Sequence, residues 1–266
     1  MTGNIYLDLT NEFNVGGLRA ILSSGQAVVL HRLALASKDG DWIVREDEPS
    51  LEHILSVLES YGARYRLGAP LDRRWMQGGW SAHFEFNRDG SRIRCDFVSH
   101  PPRLDVEDLA GLWLEQERGN PDFPVPTIDA RRLAHLKATQ RDRDYPFIGE
   151  LARRMPQLRD QFLWSRSARD LMRLAYQHPD TVTSLLAQRP LLAQIEAGRR
   201  VLERALDEER RDMAEADEIR LAAYLRSAKL WNENWPPLSR QLIGLPLSQA
   251  HRIMVESAEK LLPGAP

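Results

Sequence analysis

The sequence has a single cysteine, Cys95, so no disulfide can form within the chain. Folds that depend on disulfide bridges are therefore excluded, and this cysteine usage is typical of a reducing compartment. The first residues carry acids and lack a basic segment followed by an apolar run, so no signal peptide is predicted. No stretch reaches the roughly 18 apolar residues that a membrane-spanning helix needs. We predict a cytoplasmic protein without membrane contact.

A charge excess of either sign is also absent. The 36 basic and 38 acidic side chains leave a formal net charge of -2 over 266 residues. This balance excludes a chain-wide attraction to nucleic acid or to anionic membranes, although it allows a local basic face. The 42% of hydrophobic residues is enough for a sizeable core.

The two halves of the chain have different patterns. Residues 12–125 mix short apolar runs with glycine and aspartate turn signals, and residues from about 128 onward are almost wholly helical in pattern. Asp89-Gly90 predicts a hairpin turn between strands over 79–86 and 91–98. We expect an α+β fold, with a mixed sheet and flanking helices in residues 1–155 and an all-helical C-terminal region in residues 156–266.

Individual elements follow from periodicity and from capping residues. In the first half the pattern predicts helices over 15–22, 26–34 and 50–61, the last capped by Ser50, and a strand beginning at Trp42. In the second half it predicts helices over 129–140, 146–154, 161–177, 181–188 and 248–262, and a long charged helical stretch from Pro190 to about Trp231. Pro236 and Pro237 predict a stop.

Three aspartates carry the candidate chemistry. Asp39 and Asp41 are two residues apart, so on an extended backbone their side chains share one face. Carboxylates on one face repel unless a cation lies between them, and hard oxygen ligands select Mg²⁺ or Mn²⁺. Asp96, on the second hairpin strand, joins them if the strands are adjacent. Metals held in this way polarise a triphosphate and lower the pKa of an attacking hydroxyl. Gly25, after Ser24, lets a backbone approach phosphate closely.

These residues resemble the nucleotidyltransferase-fold superfamily, which includes proteins similar to DNA polymerase β. Members carry a Gly-Gly or Gly-Ser pair, a spacer of similar length, an Asp-x-Asp motif and a third Asp on a later strand. The likeness is closest to the bacterial minimal and AbiEii-like nucleotidyltransferases, and it covers roughly residues 12–155. The matching residues are Ser24, Gly25, Ala27, Ser37, Lys38, Asp39, Asp41, Asp96, Lys137 and Arg141.

The resemblance implies a magnesium- or manganese-dependent enzyme that moves a nucleoside monophosphate from a nucleoside triphosphate to a hydroxyl of a protein, an RNA or a small molecule. It implies that Asp39, Asp41 and Asp96 bind metal and are catalytic. It assigns nucleotide binding to Ser24, Gly25, Lys38, Lys137 and Arg141. Relatives of this size often belong to toxin–antitoxin or phage-defence systems, and the C-terminal helices would then offer a surface to a protein partner.

Departures from the family pattern motivate an alternative. Ser24 replaces the usual first glycine, Leu35 stands where many relatives have arginine, and Gly40 replaces an apolar residue, which we expect to loosen the start of the strand. A catalytically degenerate relative that binds a nucleotide or a partner is the alternative they favour. A third hypothesis is a helical adaptor whose C-terminal region docks a partner.

Each motif also has a simpler interpretation. The segment from Lys38 to Asp41 has the composition of a surface turn. Asp96 alone is consistent with a salt bridge to Arg92 or Arg94, and Lys137 and Arg141 with a solvated helix face.

Overall fold

A computed structural model describes residues 4–266, in which five strands form one open mixed sheet. The strands are β1 (Ala20–Ser23), β2 (Asp39–Val44), β3 (Arg64–Tyr65), β4 (Ala82–Arg88) and β5 (Ser91–Val98). Five helices precede, separate or follow these strands in the sequence: α1 (Ile5–Phe13), α2 (Ser24–Leu30), α3 (Glu48–Ser60), α4 (Arg73–Gln77) and α5 (Val106–Glu117). The predicted α+β class, with a mixed sheet and flanking helices, is confirmed.

Helices fill the remainder of the described chain. They are α6 (Ala130–Leu136), α7 (Tyr145–Ala152), α8 (Leu158–Trp164), α9 (Ala168–Gln177), α10 (Pro179–Leu185), a 3₁₀ helix (Pro190–Ile195), α11 (Arg199–Ser227), α12 (Lys229–Gln241) and α13 (Leu247–Leu261). Within residues 4–266 no helix combines the length and the apolar character needed to cross a bilayer.

Residue contacts group the chain into two units. The sheet unit comprises the chain up to Ile128 together with Ala222–Pro266, and the helical unit comprises Asp129–Leu221. This division differs from the predicted boundary at residue 155, because the final helices share the apolar cluster of the sheet: Trp231, Leu238 and Met254 are buried in the same cluster as Trp42 and Phe97.

The strand order is β1-β2-β5-β4-β3. The central pair, β2 and β5, is parallel, and every other neighbouring pair is antiparallel. The predicted hairpin is confirmed: Asp89 has φ 51° and Gly90 has φ 73°. Two successive positive φ angles match the twist of a tight hairpin, which brings β4 and β5 into direct pairing.

One face of the sheet carries the core. Trp42 and Phe97 stack with ring centroids 5.3 Å apart. The ring centroid of Phe13 in α1 lies 5.3 Å from that of Trp42 and 5.6 Å from that of Phe97. The Trp42 Nε1 donates a hydrogen bond to Thr10 Oγ1 at 2.9 Å, so the buried indole keeps a polar partner. Because side chains alternate along a strand, the residues next to these aromatics project from the opposite face.

Several sequence predictions of local structure are wrong. The predicted single helix over 161–177 is two helices, α8 and α9, because Ser165 leaves the helical conformation and the Ser167 side chain caps α9 by accepting from the Asp170 amide.

The segment 15–22 forms a turn and β1 rather than a helix, because Asn14 satisfies the turn with its side chain: its Nδ2 donates to the Ala20 carbonyl, and its Oδ1 accepts from the Ala20 amide. Asp47, not Ser50, caps α3, and its side chain accepts from the Ser50 amide at 3.0 Å.

Another wrong prediction concerns Pro236 and Pro237, which lie inside α12 instead of ending a helix. Trp231 and Leu238 on that helix are buried, and the Trp231 Nε1 donates to the Gly68 carbonyl at 3.1 Å. Burial of these side chains stabilises a helix that propensity alone disfavours.

Candidate functional site

The polar face of β2 presents the two aspartates of the Asp-x-Asp motif. Asp39 and Asp41 are partly exposed, whereas Gly40 and Trp42 between and after them are buried. The motif therefore lies within a strand, and the surface-turn interpretation of residues 38–41 is wrong. Its two carboxylates project from the same face, as the spacing predicts.

The parallel pairing of β2 with β5 places the third aspartate beside them. Asp41 is the direct partner of Asp96 in the strand register, and Asp39 is the partner of Arg94. Along β5, Arg94 and Asp96 are partly exposed and Cys95 is buried, so Asp96 shares the face of the motif. β2 and β5 are therefore adjacent, as the three-carboxylate hypothesis requires.

Basic side chains contact two of these carboxylates. The Arg66 Nη2 lies 2.6 Å from Asp96 Oδ1, and the His83 Nδ1 lies 2.8 Å from the same oxygen. The Arg94 Nη1 lies 3.5 Å from Asp39 Oδ1. Among residues 4–266 no group of three or more His, Cys, Asp or Glu side chains is arranged to hold a metal ion. In this structure Arg66 and Arg94 neutralise the carboxylates of Asp96 and Asp39.

The contacts of Asp96 keep it ionised. Burial raises the pKa of its carboxyl, but the neighbouring His83 and Arg66 outweigh burial and hold that pKa below its usual range. Asp96 does have an ion-pair partner, but this partner is Arg66, not the Arg92 or Arg94 of the simpler interpretation. Arg92 pairs instead with Glu85.

Gly40 belongs to the packing beneath the site. A Cβ at this position would lie 2.3 Å from the Trp42 ring and 2.5 Å from the Tyr6 ring. The Tyr6 hydroxyl donates to the Lys38 carbonyl at 2.5 Å, and burial raises the pKa of Tyr6 to about 12. The rings of Trp42 and Tyr6 occupy the space that a side chain at Gly40 would take, and the expectation that Gly40 loosens the start of β2 stays a prediction.

β1 ends at Ser23 and α2 begins directly at Ser24, and this junction lies beside β2. Ser23 is the register partner of Asp41, and its Oγ donates to the Asp41 carbonyl at 3.1 Å. Ser24 has φ 48°, a left-handed conformation that is uncommon for a residue with a Cβ. A Cβ on Gly25 would lie 2.2 Å from Ser37 Oγ and 3.1 Å from Ser37 Cβ, so the start of α2 packs closely against the segment before β2. The phosphate role of Ser24 and Gly25 stays a prediction.

The remaining predicted nucleotide ligands lie in different surroundings. Lys38 is exposed directly before Asp39. Lys137 and Arg141 belong to the helical unit, where α6 ends at Leu136, so the predicted helix over 129–140 is too long and the two do not share a helix face. Lys137 is buried with its Nζ 3.4 Å from Asp144 Oδ1, whereas Arg141 is exposed.

Sequence reasoning missed Arg66, His83 and the role of Arg94. Arg94 could have been predicted to share the face of Asp96, because it is two residues before Asp96 on one strand. His83 lies opposite Asp96 in the β4–β5 register. Arg66 follows β3, a strand of only two residues, which is too short to show any periodicity.

No family model, no curated protein and no solved structure matches this chain.

Proposed function

We propose that the chain is a magnesium- or manganese-dependent nucleotidyltransferase, which moves a nucleoside monophosphate from a nucleoside triphosphate to an acceptor hydroxyl and releases pyrophosphate. The observation that carries this proposal is the register of β2 and β5, which pairs Asp41 with Asp96 on the face that also presents Asp39. The resemblance of the motifs to the nucleotidyltransferase superfamily supports it.

The donor set suits a hard divalent cation, because all three candidate ligands are carboxylates. Asp39, Asp41 and Asp96 would hold it, and when bound it would supply charge neutralisation to the triphosphate. Arg66 and Arg94 now offset part of the acidic charge of this face. We infer that they leave the carboxylates when a cation binds and are then free to pair with phosphate oxygens.

The other groups of the site orient the reactants. The start of α2, with Ser24 and Gly25, would receive the triphosphate, and Asp96 would orient the acceptor hydroxyl. We further propose a cytoplasmic location and a place in a toxin–antitoxin or phage-defence system. The acceptor would then be an RNA, a protein or a small molecule, and the C-terminal helices would offer a protein-binding surface. These last points depend on the resemblance alone.

Transfer of radiolabel from α-labelled triphosphates, tested with each of the four bases and Mg²⁺, examines the proposal. We expect transfer by the wild-type protein and its loss in Asp41→Asn and Asp96→Asn. Asp89→Asn is a matched control, because Asp89 lies at the exposed hairpin turn where asparagine is equally well tolerated. Equal transfer by all four proteins would remove these carboxylates from the chemistry.

A catalytically degenerate nucleotide-binding protein is the second candidate. The contacts of Arg66 and His83 with Asp96 favour it, because they occupy the carboxylate that an active enzyme needs. Calorimetry separates the candidates: magnesium-dependent triphosphate binding without transfer supports the degenerate protein, and the absence of any triphosphate binding contradicts both.

A further inference from the structure

A cavity borders the candidate site within the sheet unit. It has a volume of about 870 Å³, which lies in the range of small-molecule binding pockets. Its walls are formed by β3 and the residues after it, by side chains of β4 and β5, and by the segment 242–247. Its lining includes Arg64, Arg66, Leu67, Trp235 and Ile243.

Cationic groups on one wall exceed the acidic groups that they contact. The Arg64 Nε and Nη2 donate to Glu85 Oε1 at 3.1 and 2.8 Å, and the Arg92 Nε donates to Glu85 Oε2 at 2.7 Å. Two guanidinium groups thus share a single buried carboxylate. The Arg64 side chain is 74% exposed, and its bonds to Glu85 leave Nη1 as a donor for an anionic ligand.

Arg66 supplies an independent sign of a missing ligand. Its Nη2 contacts Asp96, but its Nε is buried and has no hydrogen-bond partner among the described residues. Buried donors in folded proteins are nearly always paired, so the hydrogen bonding of the Arg66 guanidinium is incomplete here, and a small movement of this side chain toward the cavity would bring it an acceptor from outside the chain. A phosphate oxygen is the acceptor that a guanidinium fork fits best.

Apolar side chains line the same cavity. Trp235 is partly buried, and Leu67 and Ile243 are exposed. An indole beside aliphatic side chains suits the flat face of a heterocyclic ring, and base–aromatic stacking tolerates any base. The cavity thus combines phosphate donors with a surface for a planar ring.

We propose that this cavity binds a nucleotide, with its phosphate at the exposed Arg64 and at the guanidinium of Arg66, and with its base at Trp235. Because the Arg66 guanidinium also contacts Asp96, the bound nucleotide lies next to the carboxylate assigned to the acceptor hydroxyl. The cavity is then the acceptor side of the reaction, a role that rests on the proposed function. A free nucleotide and the end of a nucleic-acid strand share this chemistry.

Calorimetry without triphosphate or Mg²⁺ tests the cavity apart from turnover. The probes are adenosine 5′-monophosphate and a single-stranded oligoadenylate RNA, with inorganic phosphate and adenosine as partial ligands. We expect Arg64→Gln to weaken binding by about tenfold, the effect of losing one charge-assisted hydrogen bond. Ile243→Glu, which puts an acid at an exposed position of the lining, weakens binding without touching Glu85. Arg88→Gln, on the hairpin outside the lining, is the matched control.

The outcomes separate the two proposals. Binding of both probes identifies a site for free nucleotides, and binding of the RNA alone identifies a strand end; either supports the cavity. Absence of binding by both probes overturns it, as does unchanged affinity in both Arg64→Gln and Ile243→Glu. If Asp96-dependent label transfer persists while neither probe binds, the cavity proposal fails and the proposed function stands. If the probes bind and no transfer occurs, the nucleotide site stands and its acceptor role is lost.

Discussion

Asp41 of β2 and Asp96 of β5 are direct partners in a parallel strand register, although 55 positions separate them in the sequence. Their neighbours Trp42 and Phe97 stack on the opposite face, with ring centroids 5.3 Å apart. The apolar stacking thus fixes the register, and the register brings the two carboxylates to one face. Packing in the core is what assembles the candidate site.

The ion pair between Arg66 and Asp96 provides the first prediction. Both side chains are 23% exposed, so the pair is only partly screened by water. We expect Arg66→Gln to lower the free energy of unfolding by about 1.5–3 kcal/mol in the absence of divalent cations, the range for losing a hydrogen bond to a charged group. Urea unfolding measures this, and Arg88→Gln should change it by less than about 0.5 kcal/mol.

Mg²⁺ should reverse part of that loss. Without the guanidinium of Arg66, Asp96 is more open to a cation, and a ligand that binds only the folded state stabilises it. We therefore expect Mg²⁺ to raise the melting temperature of Arg66→Gln by more than that of the wild-type protein. An equal or smaller rise in the variant would show that Arg66 and the cation do not compete for Asp96.

Glu85 predicts a pH dependence of stability. Burial raises the pKa of its carboxyl, but hydrogen bonds from Arg92 and Arg64 outweigh burial and lower that pKa. A lowered folded-state pKa stabilises the protein above the unfolded value of about 4.3, and this contribution disappears as the pH falls through the folded value. The difference in unfolding free energy between wild type and Glu85→Gln should shrink between pH 5 and pH 3, pH values chosen to bracket that of the unfolded carboxyl. A difference that stays constant over this window contradicts the assignment.

Gly40 predicts a steric effect under the site. We expect Gly40→Ala to destabilise the protein by about 1–3 kcal/mol, because its Cβ would overlap the rings of Trp42 and Tyr6. Gly264→Ala is the control, since a Cβ there meets nothing within 4 Å. Comparable melting temperatures for the two variants would mean that the rings yield at little cost.

The buried ion pair of Lys137 with Asp144 should contribute to the stability of the helical unit. Its side chain and that of Asp144 are 10% and 5% exposed, so removing one charge leaves the other buried. We expect Lys137→Met to cost about 3–5 kcal/mol of stability and the double variant with Asp144→Asn to recover part of it. Arg141→Gln, at an exposed position, serves as the control. If the double variant is no more stable than Lys137→Met, the pair is not the source of the loss.

Local chemistry explains which elements could be predicted from the sequence. Asp89-Gly90 predicted the hairpin because both residues tolerate positive φ, and the alternation around Asp96 predicted β5. Long-range contacts determine the rest. The stretch 15–22 forms β1 because Asn14 holds the turn before it, and α12 continues through Pro236 because Trp231 and Leu238 are buried.

The candidate site divides in the same way. The spacing of Asp39 and Asp41 predicted that their side chains share a face. The strand pattern around Asp96 predicted β5, and the pairing of β5 with β2 places Asp96 beside Asp41. The basic side chains around them could not be predicted, because Arg66 and His83 reach Asp96 only through the antiparallel pairing of β3, β4 and β5.

A crystal soaked with Mn²⁺ and a non-hydrolysable nucleoside triphosphate tests the three-carboxylate site most directly. The anomalous signal of manganese locates the ion without reference to activity. We predict a peak in contact with the carboxylates of Asp41 and Asp96, the triphosphate beside it, and Arg66 displaced from Asp96. Manganese bound elsewhere, with Arg66 still paired to Asp96, would contradict the metal-dependent function proposed for this chain.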